Sequence, residues 1–506
     1  MNGCSKVAIF GWLAAVCLPA AAQLVVEGTS VDDLGGGQVR GTVSREHIVN
    51  GGTVIFRSII GGAPSSSDLT WWLDGSEILR EGDDAPGLPG LTLIPLSGVT
   101  GNSVDVLHVS FLNGAPANSD IALFLGTDLL AREGDLVPGT GDMDRYSGAP
   151  NIDDLAVQGH RIAFSWNLED ASTALSTGKT LFKASASDVA EVARTGQSAP
   201  GLPSNYLFDS FRDISLSPGN QLAFIGTTVQ SGARGAPIEG AWQTSFGTSP
   251  SLVVQTGELG PGNIGPLDSI QDITFAGGDD IAIQATIAPS PSASNAVWIA
   301  GGGSSVVKSG DLIEGMTLNF VTRLAANPNK RMAFFCHFNT FVGLCLADPI
   351  QGVEIVIAEG DPAPQIGGGV TIGTLRTQPA LNRFDQIAFY ALLAGPGVDF
   401  SNDEALFFRH ADGSLSLVAR EGETYDLGPA GVATIHAEAA SPSALRYRDN
   451  GANSDRFGIY DGQQSPMTEV GTLVLWANFL GMQEFEAILR TTPDPEGIFW
   501  DSFDGY

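Results

Sequence analysis

The chain has 506 residues, of which 56 are acidic and 25 basic, so its formal net charge at pH 7 is −31. This excludes the clustered positive surface through which proteins bind nucleic acid. Charged residues make up 16% and apolar residues 43%, which excludes a disordered acidic tail and a coiled coil. The 64 glycines and 28 prolines favour many short strands joined by turns over helices.

The first 22 residues have the pattern of a signal peptide. Lys6 supplies a positive charge, residues 7–18 form an apolar run, and the alanines at 20–22 match a small-residue cleavage site. The run is shorter than the roughly 20 residues of a membrane span. We predict cleavage near Ala22 and export of a monomer, without a transmembrane segment, to the periplasm or the extracellular space. Lipidation at Cys17 is the alternative, which Val16 before it disfavours.

A glycine turn then recurs along the chain. A short apolar run precedes the glycine, an acidic or polar residue follows it, and Pro-Gly often comes next, as in Leu130-Ala-Arg-Glu-Gly134-Asp-Leu-Val-Pro-Gly139. The equivalent glycines are Gly28, Gly82, Gly134, Gly196, Gly257, Gly310, Gly360 and Gly422. Their regular spacing of 50 to 62 residues indicates tandem repeats.

Further β-rich runs lie between these glycines. A second run begins at Gly52, Val104, Arg161, Gln221, Asp280, Arg331, Gln386 and Gly471. A third run follows, and a short strand after the Pro-Gly turn completes four strands per repeat, the size of a propeller blade. We therefore predict an all-β propeller with eight four-stranded blades, or seven if the C-terminal copy does not pack.

The two ends of the chain predict how the ring closes. Residues 24–27 resemble the fourth strand of a repeat, and the last repeat reaches its third strand around residues 485–489. The N-terminal strand would complete the last blade and remove exposed sheet edges. The predicted organisation is a signal peptide at 1–22, a single propeller domain at 23–490 and a C-terminal tail at 491–506.

Loops between the second and third strands vary most in length, for example 170–178, 230–239 and 393–403. In an antiparallel blade these loops emerge on the same side as the glycine turns. Constant turns beside variable loops are typical of a rigid scaffold that carries binding elements. We predict that this side is the functional face.

Acidic residues follow most of the turn glycines. The position holds Asp83, Asp135, Glu258, Asp311, Asp361 and Glu423. A ring of carboxylates could bind Ca²⁺, the one cofactor we consider. Alternatively, the glycine takes a positive φ and the acidic side chain bonds nearby backbone amides. Gln197 and Thr29 at the same position favour the structural role.

Two cysteines remain after the signal peptide. Cys336 and Cys345 lie in a predicted hairpin, so we predict a disulfide in an oxidising compartment, with two buried free thiols as the alternative. The sequence contains no G-x-S-x-G, H-E-x-x-H or Walker motif. We name no catalytic residue, although 56 acidic residues leave carboxylate pairs open. Tryptophans on or next to the predicted strands indicate packing between blades, with a sugar-binding platform as the alternative; they are Trp71, Trp72, Trp166, Trp242, Trp298 and Trp476.

Ile-Ala-Phe strands that alternate with Leu-Val-Ala-Arg-Glu-Gly-Asp turns resemble a family of uncharacterised exported bacterial tandem-repeat proteins. The tail, from Gly497 to Tyr506, is similar to an Ile-Phe-x-Asp-Gly-Phe-Glu ending of secreted proteobacterial proteins, with Ser502 and Asp504 as departures. The resemblance implies export and a β-propeller-like fold. It brings no activity and no catalytic residue.

Two functions follow from these observations. The first is an exported, non-enzymatic binding or scaffold protein that presents its variable loops to a glycan, a peptide or a cell-surface partner. The alternative is a hydrolase or lyase of extracellular polysaccharide, with carboxylates near the propeller channel as acid and base.

Overall fold

The computed structural model describes residues 53–73, 76–95, 106–140, 143–185, 188–232, 236–288, 294–301 and 306–426. It also describes residues 23–27, 33–35, 38–50, 100–101, 432–435, 445–446, 467, 473–480 and 484–491. The predicted signal peptide, Gly28 with Thr29, and the tail beyond Thr491 lie outside these residues. Within them, the chain is all-β apart from one 3₁₀ turn, Pro261–Asn263. No helix of this part is long and apolar enough to cross a membrane.

The strands form antiparallel sheets that we number along the chain. Strand β1 (Gln23–Glu27) belongs to the last of them. Sheet 1 contains β2 (Asp33–Gly35), β3 (Gln38–Asn50), β4 (Thr53–Gly61), β5 (Leu69–Leu73) and β6 (Ser76–Arg80). Sheet 2 contains β7 (Thr92–Pro95), β8 (Thr100–Gly101), β9 (Val106–Asn113), β10 (Ile121–Leu125) and β11 (Asp128–Arg132).

The next three sheets have four strands each. Sheet 3 contains β12 (Asp144–Gln158), β13 (Arg161–Asp170), β14 (Ser176–Ser185) and β15 (Asp188–Arg194). Sheet 4 contains β16 (Tyr206–Leu216), β17 (Gln221–Gln230), β18 (Ile238–Ser245) and β19 (Ser251–Gln255). Sheet 5 contains β20 (Leu267–Ala276), β21 (Asp280–Ile287), β22 (Asn295–Ile299) and β23 (Val307–Lys308).

A two-stranded hairpin, β24 (Leu312–Ile313) with β25 (Met316–Thr317), precedes the remaining sheets. Sheet 6 contains β26 (Phe320–Ala326), β27 (Met332–His337), β28 (Val342–Asp348) and β29 (Gly352–Ala358). Sheet 7 contains β30 (Thr371–Leu381), β31 (Ile387–Ala394), β32 (Glu404–Arg409) and β33 (Leu415–Arg420). Sheet 8 contains β34 (Thr424–Asp426), β35 (Val432–Ile435), β36 (Leu445–Arg446), β37 (Leu473–Leu480), β38 (Glu484–Thr491) and β1.

The cores lie between consecutive sheets. The second and third strands are buried along most of their length, and β10 and β22 are buried throughout. This explains their continuous apolar sequences, because such a strand is covered on both faces. Four tryptophans fill separate cores, as predicted: Trp71, Trp166, Trp242 and Trp298. Each large apolar side chain buried in this way contributes about 1.5 to 3 kcal/mol.

Strands from the two ends of the chain pair with each other. Strand β1 runs antiparallel to β38, with Leu24 opposite Leu489 and Glu27 opposite Ala487. The predicted pairing of the N-terminal strand with the last repeat is confirmed.

The predicted disulfide is also confirmed. Cys336 on β27 and Cys345 on β28 are bonded, with their Cα atoms 6.1 Å apart. In the register of the hairpin, Cys336 lies opposite Gly343 and Cys345 opposite Phe334. Both cysteines are buried in the core between sheets 5 and 6.

The loops and turns of each four-stranded sheet lie at two opposite ends of its strands, and we call these ends edges. We call the edge that carries the loop between the second and third strands and the glycine turn to the next sheet the loop edge; in sheet 3 these are residues 171–175 and Gly196. The opposite edge carries the two short hairpin turns, such as Gly159 with His160, and we call it the turn edge.

Candidate functional site

The glycine turn joins each sheet to the next by a pair of backbone hydrogen bonds. Gly134 N–H donates to the carbonyl of Tyr146 at 2.8 Å, and Tyr146 N–H donates to the carbonyl of Asp135 at 3.1 Å. The same pair occurs at Gly82, Gly196, Gly257, Gly310, Gly360 and Gly422. All seven glycines have φ between 79° and 94°, a conformation that L residues rarely adopt. The turn therefore positions the first strand of the following sheet.

The acidic side chains after these glycines mostly fold back onto their own turns. Asp83, Asp311 and Asp361 each accept the backbone N–H three residues earlier, at 2.8 to 2.9 Å. Glu258 accepts a hydrogen bond from the side chain of Gln255, and Glu423 from the hydroxyl of Tyr425. Burial raises the pKa of Glu423.

Asp135 is the sixth member of this set. Burial raises the pKa of its carboxyl group, and the nearby Arg132 acts in the opposite direction. Among the residues that the structure describes, no three His, Cys, Asp or Glu side chains lie close enough together to hold a metal ion. The other five carboxylates contact their own turns, and Ca²⁺ binding by the set stays a prediction.

We expect Asp361→Ala to destabilise the protein by about 1 kcal/mol, because the N–H of Ala358 loses its acceptor. Asp361→Asn keeps an acceptor oxygen and should remain close to the parent protein. Thermal melts with Ca²⁺ and with a chelator check both variants. If Ca²⁺ raises the melting temperature of the parent protein and Asp361→Asn removes that rise, the carboxylate binds the cation. Its hydrogen bond to the turn would then not be its only role.

The residue before five of these glycines has a role that the sequence did not reveal. Its side-chain oxygen accepts the N–H at the start of the third strand of the same sheet. Glu133 accepts from Asp120 at 3.3 Å, Thr195 from Lys179 at 2.9 Å and Thr256 from Glu239 at 3.1 Å. Ser309 accepts from Asn295 at 2.8 Å and Glu359 from Val342 at 3.1 Å.

In Glu133 and Glu359, the second carboxylate oxygen reaches the next sheet. Glu133 accepts the N–H of Gly148 at 2.9 Å, and Glu359 that of Leu375 at 3.3 Å. A threonine or serine is too short for this contact.

In two sheets with a short residue there, the side chain at the start of the third strand makes the contact instead. Glu239 accepts the N–H of Ile270 at 3.1 Å, and Asn295 that of Val321 at 2.9 Å. The signal in the sequence was that a sheet with a short residue before the glycine has a long one at the start of its third strand.

We expect Glu359→Ala to destabilise the protein by about 2 to 4 kcal/mol, since two backbone N–H groups lose their acceptor. Ser309→Ala removes the acceptor of one N–H and should cost about half as much. Denaturant unfolding of both variants beside the parent protein measures the difference. Equal losses would show that the contact of Glu359 with sheet 7 does not hold the two sheets together.

Comparison with known proteins places residues 48–483 in a family described as a family of unknown function, DUF7453. The chain belongs to this family. The membership agrees with the resemblance to an uncharacterised family. No curated protein sequence matches this DUF7453 chain.

Solved structures resemble the DUF7453 chain only distantly. A puromycin-hydrolysing peptidase of Mycobacterium tuberculosis is 12% identical with a TM-score of 0.33, and the match covers 78% of this chain and 57% of the peptidase. Prolyl oligopeptidase B of Galerina marginata is 10% identical with a TM-score of 0.35, covering 76% and 54%. A periplasmic gluconolactonase of Pseudomonas aeruginosa is 13% identical with a TM-score of 0.29, covering 77% and 92%. The chain spans less than two thirds of the two peptidases, and likenesses this low carry no functional argument.

Proposed function

We propose that the protein is an exported binding or scaffold protein built as a closed propeller of eight blades, one from each numbered sheet. Contacts between neighbouring sheets support the ring. Strand β3 contacts β8, β8 contacts β12, and the first strands β12, β16, β20, β26 and β30 contact one another in that order. Strand β32 of sheet 7 contacts β36 of sheet 8, whose β37 and β38 contact β3 of sheet 1.

The exposed apolar side chains are the observation that carries the binding role. In the described residues, six large apolar side chains are at least 62% exposed, and five of them lie at the loop edge. They are Met143, Leu175, Leu259, Leu312 and Phe400, whereas Ile350 lies at the turn edge. These five side chains are on the same side as the variable loops, where a partner would contact them, and their apolar character favours a peptide or protein over a glycan.

Two of the variable loops are held in shape by aspartate side chains. Asp170 accepts the N–H groups of Ser172 and Thr173 at 2.9 and 2.8 Å, and Asp399 accepts that of Ser401 at 2.9 Å. Hydrogen bonds from the side chains of Ser172 and Thr173, and from their backbones, lower the pKa of Asp170 to about 2. Loops ordered before binding lose less conformational entropy when a partner docks.

The enzymatic alternative places acid and base carboxylates on the inner strands. The inner-strand carboxylate of Asp154 is 2.6 Å from Lys179 and also accepts hydrogen bonds from Asn151 and Ser165. The carboxylate of Asp213 pairs with Arg212. Both groups are engaged in contacts within the protein, so we place the binding role first.

Peptide and glycan arrays probed with the mature protein test the binding role. We expect the double variant Leu175→Ser, Phe400→Ser to lose at least about tenfold in affinity for the ligand found, because apolar contact area is removed. Ile350→Ser at the turn edge is the matched control and should bind as the parent does. A polysaccharide-degradation screen runs alongside, and new reducing ends or unsaturated products would overturn the non-enzymatic role.

Deletion of residues 24–28 tests the closure of the ring. We expect a sharp fall in melting temperature, because β38 loses one of its two neighbouring strands and becomes an exposed edge of sheet 8. Deletion of residues 492–506, which lie beyond the last strand, is the control and should leave the melting temperature unchanged. A β1 deletion that melts like this control would count against a closed ring.

A further inference from the structure

A cavity of about 660 Å³ opens at the turn edge between sheets 3 and 4. His160 and Arg161 from sheet 3, Ser185 at the end of β14, and Asn220 and Phe246 from sheet 4 are among its lining residues. Its volume lies within the range of small-molecule sites in proteins. The cavity is on the opposite edge from the variable loops.

Two cations share the aromatic ring of Phe246 in this cavity. The guanidinium carbon of Arg161 is 4.4 Å and the Nζ of Lys183 is 5.0 Å from the ring centroid. Lys183 is only 3% exposed and donates to the carbonyl and hydroxyl of Thr244 and to the carbonyl of Ser245. Burial, with the charge of Arg161, lowers the pKa of Lys183 to about 8. Within the described residues, neither cation forms an ion pair with a carboxylate.

The junction between sheets 6 and 7 shows what normally faces such an arginine. Arg331 occupies in sheet 6 the place that Arg161 occupies in sheet 3. Arg161 directly precedes Ile162, which pairs with Ala184. Arg331 directly precedes Met332, which pairs with Ala347. The guanidinium of Arg331 pairs with Asp348 at 3.2 Å and with Asp385 at 3.3 Å.

Both aspartates are replaced at the cavity. Ser185 lies opposite Arg161 in the register, in the place of Asp348. Asn220 takes the place of Asp385, since both have a positive φ, 71° and 61°, in turns closed by the same hydrogen bonds. The two positions that supply carboxylates to Arg331 therefore hold neutral residues beside Arg161.

A third junction also carries a charge-balanced pair at these positions. Between sheets 5 and 6, Asp280 takes the place of the arginine and Lys330 that of the turn aspartate. The two side chains form an ion pair of reversed sign at 2.6 Å. Of the acidic residues near the cavity, Asp279 accepts the hydroxyl of Ser217, and Asp188 lies opposite Ser185 on the outer strand without lining the cavity.

We propose that the cavity binds a small carboxylate-bearing molecule, whose carboxylate pairs with Arg161 in place of the two missing aspartates. Ser185 and Asn220 supply polar side chains beside that carboxylate, and the buried charge of Lys183 adds to the attraction. The site is independent of the loop edge and of the partner proposed there.

Calorimetric titration of the mature protein with galacturonate and with succinate tests this site, with galactose, sulfate and phosphate as comparison probes. We expect at least one of the two carboxylates to bind, and galactose not to bind. Arg161→Gln should weaken that binding at least about tenfold, because the paired charge is removed. Glutamine already stands at this position as Gln221 and Gln386, so the variant should fold.

A double variant, Ser185→Asp with Asn220→Asp, rebuilds the arrangement around Arg331 and should abolish binding while keeping or raising the melting temperature. Arg331→Gln is the matched control: it should lower the melting temperature and leave carboxylate binding unchanged. Absence of binding by both carboxylates, binding that Arg161→Gln leaves intact, equal binding of galactose, or binding of the inorganic anions alone would each overturn the proposal.

Discussion

One pair of backbone hydrogen bonds recurs at the seven described glycine turns that lead from one sheet to the next, and the packing of the sheets depends on it. The glycine N–H and the carbonyl of the residue after it both bond one residue at or just before the next first strand, as at Gly134, Asp135 and Tyr146. A side chain at this glycine would also collide with the carbonyl of Asn118, whose oxygen lies 2.8 Å from the position that a β carbon would occupy. At Gly134 the geometry thus excludes other residues for two reasons, the sign of φ and the lack of space.

The sequence predicted the strands well because their signals are local. Second strands were expected to begin at Arg161, Gln221 and Asp280, and the structure begins them there. The disulfide and the pairing of β1 with β38 were also predictable, the first from hairpin spacing and the second from the repeat phase at the two ends.

The contacts between sheets were not predictable in the same way. A carboxylate after a turn glycine can face a cation or its own turn, depending on the direction of its side chain. The spacing of the glycines in the sequence does not define that direction. The proposed site beside Arg161 depends on the lack of carboxylates at two positions, Ser185 and Asn220. Neither residue is unusual by itself in the sequence. Only a comparison of corresponding positions in space relates them to Asp348 and Asp385. Two pairs of positions that vary between the sheets do compensate for each other, as Thr256 with Glu239 and Asp280 with Lys330 show.

The pairing of Gln23 with Arg490 and of Glu27 with Ala487 also sets an order of events in folding. Contacts within a sheet are local and form early, whereas this contact joins segments from opposite ends of the sequence and carries the largest loop-closure entropy in the molecule. Until the last strand has been synthesised, β1 has no partner and remains an open edge available to other chains. A protein of this design needs protection against association at its N-terminal strand for longer than anywhere else.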